Sequence, residues 1–363
     1  MERWQKSLRN SVRDLHTLAE KFGLSEEKLR EVVHTFPFLI SPHYASLIRQ
    51  KGDPIYRQCV PDEAELVGNE PLLEDPLAEE AHSPAPNIIC RYPDRCLFLV
   101  SNACATYCRF CTRKRKFSTR NRIDPTHLEP GFRYIETHPE IRDVLISGGD
   151  PFLLEDERIE EILRRLRSIS HVEILRIGTR TPCVLPERIT LKLARMLKKY
   201  PPLYIHVHFN HPDEVTPEAV RALARLADAG IPLGSQTVLL KGVNDDPQIM
   251  LRLMHKLLAA RVRPYYLFQC DLVHGTGHFR TPLAKGLEIM KAMHGWTSGM
   301  AVPHYAIDLP CGGGKIPLVP DYLESRTKNI LHFRTYRGTP CAYPDLPNPP
   351  PPSETPTSSK ETS

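Results

Sequence analysis

The 363-residue chain is 41% hydrophobic and 25% charged, with 48 Lys and Arg against 43 Asp and Glu and a net charge of +5. Apolar content at this length supports one large domain or two ordinary ones and excludes a mainly disordered chain. No run approaches eighteen uninterrupted apolar residues, which excludes a helical membrane span, and the mild basicity leaves nucleic-acid binding open without arguing for it.

The first residues, MERWQKSLRNSVRDLHTLAEKFG, are amphipathic and mixed in charge, with no apolar signal core. The expected location is the cytoplasm, where ten cysteines stay reduced and clustered thiols bind metal or do chemistry. Leu15, Leu18 and Phe22, then Leu29, Val32 and Val33, recur at helical steps, and Ser25 before Glu26 and Glu27 starts a helix. The N-terminal region, residues 1–90, ends in a Pro- and acid-rich connector, VPDEAELVGNEPLLEDPLAEEAHSPAPN, which should wrap a larger body. From Leu97 the pattern changes. LFLVSN, DVLISGG, VEILRIG, LYIHVHF, GSQTVLL and RPYYLFQCD are separated by amphipathic segments such as ERIEEILRRLRSI and PEAVRALARLADAG. Six strand–helix units imply an α/β fold with a parallel sheet and outer helices, either doubly wound or a barrel. In both, ligands gather at the C-terminal strand ends. Beyond lie a helix near 284–294, a strand-like AVPHYAIDL, the glycine cluster PCGGGKIP, a C-terminal segment at 331–346 and a Pro-, Ser- and Thr-rich tail at 347–363 read as disordered.

SNACATYCRFCTRK places Cys104, Cys108 and Cys111 on the loop leaving the first of these strands. Three thiols so spaced can line one apolar helix face, whereas a structural zinc wants four ligands and no second Cys-x-x-Cys pair exists. A four-iron cluster on three thiolates leaves one iron open for an exchangeable ligand, which makes the odd count sensible. Gly148, Gly149 and Asp150 end the second strand, by themselves a common turn signal. In IDLPCGGGKIP, Lys315 follows three glycines, but Ile316 stands where a phosphate loop needs a hydroxyl. That leaves a glycine turn with an exposed lysine, or a lysine presented for Schiff-base formation with a bulky cofactor's aldehyde. RKRK at 113–116, with Arg120 and Arg122 beyond, reads as a solvated loop face apart from Arg113, with an anion or nucleic-acid patch as the alternative. The cysteines at 59, 90, 96, 183, 270, 311 and 341 are expected to be inert buried thiols.

Three cysteines at C-x-x-x-C-x-x-C spacing after the first strand of six β/α units, with GGD ending the second, resemble the radical S-adenosylmethionine enzymes. Lys315 behind its glycines narrows the resemblance to the lysine 2,3-aminomutase family, over about residues 3–344. It implies a partial (β/α)6 barrel of the radical SAM type across 91–330, after an N-terminal helical extension. It implies a 4Fe-4S cluster on Cys104, Cys108 and Cys111 whose open iron is chelated by S-adenosylmethionine, with Gly148, Gly149 and Asp150 holding that molecule's amino group. Pyridoxal 5'-phosphate would be bound through Lys315 and its phosphate by Arg91 and Arg95 of RYPDR, with His208 and Gln236 also at the cofactors. Cys311 replaces the first glycine of the family's lysine motif. Arg113 would hold the substrate carboxylate, and Asp271 and Asp308 its distal ammonium; glutamate-specific relatives carry a lysine and an asparagine instead. Both acids are kept, so the expected substrate is L-lysine, with arginine as the alternative.

The reaction so implied interconverts L-lysine and β-lysine by a 2,3-amino shift through a 5'-deoxyadenosyl radical, with an electron donor such as flavodoxin or ferredoxin. The rival readings are a radical enzyme acting on RNA or protein and a regulatory iron–sulfur or zinc protein. No membrane or nucleic-acid partner is expected. Clostridial-type members carry a zinc site between subunits; here Asp246 follows VND where a ligand cysteine is needed, and only Cys341 remains near the end. No such zinc is expected, and a homo-oligomer stays open.

Overall fold

The computed structural model describes residues 2–67, 72–117 and 127–346; Arg120, Arg122 and the proline-rich tail lie outside the described residues. Nine strands form one sheet in chain order: β1 (Ile88–Tyr92), β2 (Arg95–Ser101), β3 (Asp143–Gly148), β4 (Ile174–Thr179), β5 (Leu203–His208), β6 (Leu233–Leu239), β7 (Arg263–Gln269), β8 (His304–Leu309) and β9 (Gly314–Pro317). Neighbours from β2 to β8 are parallel, while β1 and β9 run antiparallel at the edges. β1 and β9 do not pair, so the sheet is the incomplete barrel expected. Its six parallel strands are joined by a seventh, the AVPHYAIDL run.

Alternation with period two is cleanest in β4 and β6. In β4, Leu175, Ile177 and Thr179 are buried while Arg176 and Gly178 are only half-buried; in β6 the buried set is Leu233, Ser235, Thr237 and Leu239. Helices cover the apolar face. Pro217–Asp228 shows why they form: Thr216 Oγ1 accepts from the Ala219 N–H at 3.2 Å, Pro217 occupies the first turn, and Ala219, Ala222, Leu223 and Leu226 make one buried stripe. The other face of the sheet carries Arg176, His206, His208 and Gln236, the polar side that a ligand would meet.

The N-terminal helices Arg3–Arg9, Leu15–Phe22, Glu26–Thr35, Pro42–Ser46 and Pro54–Cys59 belong to the same compact unit as the barrel, 1–319. Ser25 caps the third, as expected. Tyr44, Ile55 and Val60 are part of the main core, so residues 1–90 are not a free-standing domain. The second unit starts at Pro320 and holds an antiparallel sheet of β10 (Leu323–Thr327), β11 (Ile330–Arg334) and β12 (Pro340–Pro344). β10 pairs with β11, so residues 323–327 share a sheet with the C-terminal strands. Among the described residues no helix is long and apolar enough to cross a membrane.

Candidate active site

The loop after β2 is fixed first by the end of β3. The Gly149 N–H donates to Ser101 O at 2.6 Å and the Asp150 N–H to Ala103 O at 2.7 Å. A Cβ on Gly148 would meet Ser101 O at 2.4 Å and one on Gly149 would meet Ala103 O at 2.4 Å, so only glycine permits the approach. The Asp150 carboxylate is used inside the fold: it accepts from Thr179 Oγ1 at 2.7 and 2.9 Å, from the Arg180 N–H at 2.8 Å and from the Phe152 N–H at 3.1 Å. Gly148, Gly149 and Asp150 therefore position the cysteine loop from one side.

The N-terminal region and connector hold it from the other. The Tyr107 N–H donates to Leu39 O and the Arg109 N–H to Gln58 O, both at 2.9 Å. Buried Arg109 forks onto Glu65 at 2.8 and 2.6 Å and reaches the Phe36 and Pro37 carbonyls. Lys114 Nζ donates to Glu65 at 2.7 Å and to Gly275 O at 2.9 Å, and Arg115 pairs with Asp75 at 2.8 Å. Lys114 is 4% exposed, and burial pushes its pKa down to about 8. The expected solvated face is thus corrected at Lys114 and Arg115: the acids of the connector neutralise the basic run. Acid and base in separate stretches of one sequence were the available signal.

Among the described residues no three His, Cys, Asp or Glu side chains converge as a single metal ion would require. A four-iron cluster presents a different iron to each thiolate, so its sulfurs stay apart, and three thiols without a fourth match that donor set. Burial, then neighbouring charges that include the other two thiols, raises Cys104; burial and Cys108 raise Cys111 to about 11. Cys108 Sγ accepts from Arg180 Nη1 at 2.6 Å and Cys111 Sγ from the Arg113 N–H at 3.3 Å, the kind of sulfur-directed donors that thiolate clusters keep. The residues fit the cluster.

The second half of the site lies where the chain turns back from β8 into β9, with Asp308 opposite Lys315 in register. Lys315 Nζ is 3.0 Å from Asp308 Oδ2, 5.5 Å from the Phe268 ring centre and 5.8 Å from that of Tyr92. The Lys315 N–H donates to the Tyr92 hydroxyl at 3.0 Å, and Arg91 forms an ion pair with Asp308 in which both side chains are 9% exposed. Side chains of β1 thus bridge to β8 and β9 where backbone pairing is missing. Arg95 pairs with Asp94 at 2.8 Å and lies 3.9 Å over Tyr92. Asp271, at the end of β7, is pushed up to about 7, by burial first and then by the Asp308 carboxylate. An aldehyde-bearing aromatic cofactor with a phosphate finds here a lysine, two rings and two guanidinium groups. Among the described residues Arg91 Nε is buried without a partner, a donor such a phosphate would satisfy.

Arg113 forks onto Glu79 through Nε at 2.9 Å and Nη2 at 2.6 Å, a fork that does not use Nη1. His208 bonds Asn210 Oδ1 at 3.0 Å, and burial lowers it to about 4, so the ring is neutral; Gln236 lies beside it in the sheet register. Tyr92, Phe268, Glu79 and Arg180 went unnoticed in the sequence, although Tyr92 lies inside RYPDR itself. Cys311 and Cys341 are exposed, against the expectation of buried thiols, because Cys311 takes a left-handed turn (φ +57°) and Cys341 lies on β12.

Residues 98–254 match the Radical SAM superfamily model and residues 290–360 the Lysine-2,3-aminomutase model. The chain is 49% identical to an L-lysine 2,3-aminomutase of Methanococcus maripaludis, over 94% of this chain and 80% of that protein. It is 46% identical to one of Fusobacterium nucleatum, over 95% and 83%. A glutamate 2,3-aminomutase of Clostridioides difficile is 44% identical over 95% of this chain and 82% of its own length. The three cysteines, the GGD turn and the lysine behind its glycines sit within these matches, and the chain belongs to the lysine 2,3-aminomutase family of radical S-adenosylmethionine isomerases.

Proposed function

We propose that the protein interconverts L-lysine and β-lysine by a 2,3-amino shift, with pyridoxal 5'-phosphate bound through Lys315. The observation that carries this reading is the pair Asp271 and Asp308. Asp271 stands at about 7 because burial and a second carboxylate oppose its charge. A ligand that brings a cation to this corner relieves that cost, and a distal ammonium does so while a distal carboxylate adds to it. The glutamate-named relative is therefore not the guide to substrate here.

Arg113 offers Nη1 to the substrate carboxylate while Glu79 fixes its other arm. Arg91 and Arg95 would take the cofactor phosphate, and Arg91 would then release Asp308 to the substrate ammonium. Tyr92 and Phe268 flank the lysine and would offer their rings to an aromatic cofactor. When bound, the cluster with S-adenosylmethionine supplies a hydrogen-abstracting radical, and pyridoxal phosphate supplies the π-system across which nitrogen moves. Cys104, Cys108 and Cys111 would hold the cluster, with Gly148, Gly149, Asp150, His208 and Gln236 lining the cofactor side. Lys114 and Arg115 are engaged by acids of the connector, which takes them away from the RNA footprint that a rival radical enzyme would use. A cytoplasmic setting with a low-potential flavodoxin or ferredoxin as donor suits this chemistry, and a homo-oligomer is compatible with it.

The test is anaerobic incubation of reconstituted protein with lysine, arginine and glutamate separately, with chromatography for each β-isomer. β-Lysine alone is expected, and β-glutamate without β-lysine would overturn the reading.

A further inference from the structure

One buried charge next to the cysteines has no part in the chemistry above. Arg180 follows β4 and is 8% exposed. Its position is set from four elements. Its N–H donates to Asp150 Oδ2 at 2.8 Å, which ties it to the end of β3. Its Nη2 meets Tyr44 Oη at 2.9 Å, Gln58 Oε1 at 2.8 Å and Glu214 Oε1 at 2.8 Å. Tyr44 in turn donates to Glu214 at 2.6 Å, and the Asn210 and His211 N–H groups bond the other oxygen of Glu214. The guanidinium lies 5.2 Å from the Tyr44 ring centre and 5.1 Å from that of Phe110. With Nη2 so committed, Nη1 is aimed at Cys108 Sγ, 2.6 Å away.

We infer that Arg180 sets the reduction potential of the cluster through Cys108, and that Tyr44, Gln58 and Glu214 are the residues that position it. The inference rests on Cys104, Cys108 and Cys111 being the cluster ligands. Reduction adds one electron, delivered from an external low-potential donor, to a centre already made negative by three thiolates. A guanidinium does not deprotonate, so a fixed positive charge bonded to one ligand sulfur stabilises the reduced state and raises the potential. Glu214 opposes this from the far side of the guanidinium, which dilutes the effect of Arg180 without cancelling it. Sign therefore separates an electrostatic role from a purely structural one.

The experiment is an anaerobic redox titration, with dithionite and mediators and without S-adenosylmethionine, of iron- and sulfide-reconstituted protein, read by the electron paramagnetic resonance signal of the reduced cluster. Arg180→Met is expected to shift the potential to more negative values and Glu214→Gln to more positive ones. The double variant R180M/E214Q removes both charges, which spares the fold an unpaired buried carboxylate. It is expected to lie below the wild type and above Arg180→Met. Arg180→Lys should recover part of the shift, and Tyr44→Phe should move the potential with every charge in place. A potential unchanged across the series, with losses confined to stability or to S-adenosylmethionine affinity, would overturn the inference while leaving the cluster assignment intact. Wild-type protein that takes up no iron would overturn both.

Discussion

The two ends of the site are held by different kinds of force. The cysteine loop is tied through backbone groups and neutralised ion pairs: Ser101 and Ala103 to the β3 turn, Tyr107 and Arg109 to the N-terminal region, Arg109 and Lys114 to Glu65. At the lysine end Arg91 and Lys315 share Asp308, and Asp271, buried and opposed by the Asp308 carboxylate, stays raised. A cluster scaffold is thus pre-formed, whereas the cofactor and substrate corner is a set of exchangeable pairs that ligands rearrange.

Substitutions that break this contrast range widely in size. Lys315→Ala should remove the pyridoxal absorbance band and lower activity by ~10^3-fold or more, without loss of bound iron. Gly149→Ala should do the reverse. Its Cβ would sit 2.4 Å from Ala103 O, so the cysteine loop must move, at about 3 kcal/mol of stability and with reduced iron per chain by elemental analysis. Asp271→Asn should weaken lysine by about 3 kcal/mol, read as KM, since Asp308 loses its companion facing the ammonium. The same change should stabilise ligand-free protein at pH 8 in a thermal melt. Asp271 has its folded pKa raised to about 7, so its contribution is full below about 4 and is lost as pH rises through 7. The smallest effect belongs to a residue outside both ends. Asp246 caps the helix Pro247–Ala259 by accepting from the Gln248 and Ile249 N–H groups, and Asp246→Ala should cost about 1 kcal/mol with cofactor content unchanged.

Legibility in the sequence follows the same divide. Short apolar runs alternating with amphipathic segments gave an α/β fold with a parallel sheet, because burial on one face writes itself into local pattern, while the choice of a barrel came from the resemblance alone. The cysteines and GGD were readable for a related reason, since spacing and glycine are local. The edge strand β1 was passed over as a mere motif, because RYPDR shows residue types suited to phosphate and hides its place in a ladder with β2. Pairings across long separations were out of reach. Nothing local links Glu65 to Lys114, Glu79 to Arg113, or Tyr44 to Arg180. The buried Lys114 is the clearest case: a basic run looks solvated until the acidic connector is folded against it.

The most direct test of substrate selection by paired carboxylates is proton release on binding 6-aminohexanoate, which has lysine's carboxylate and distal ammonium but no amine to exchange with Lys315. Calorimetry at pH 7 in buffers of different ionisation enthalpy counts those protons. With Asp271 near 7, about half a proton should leave wild-type protein and none should leave Asp271→Asn. Release absent from the wild type, or equal in the variant, would contradict the assignment of Asp271 to the ammonium.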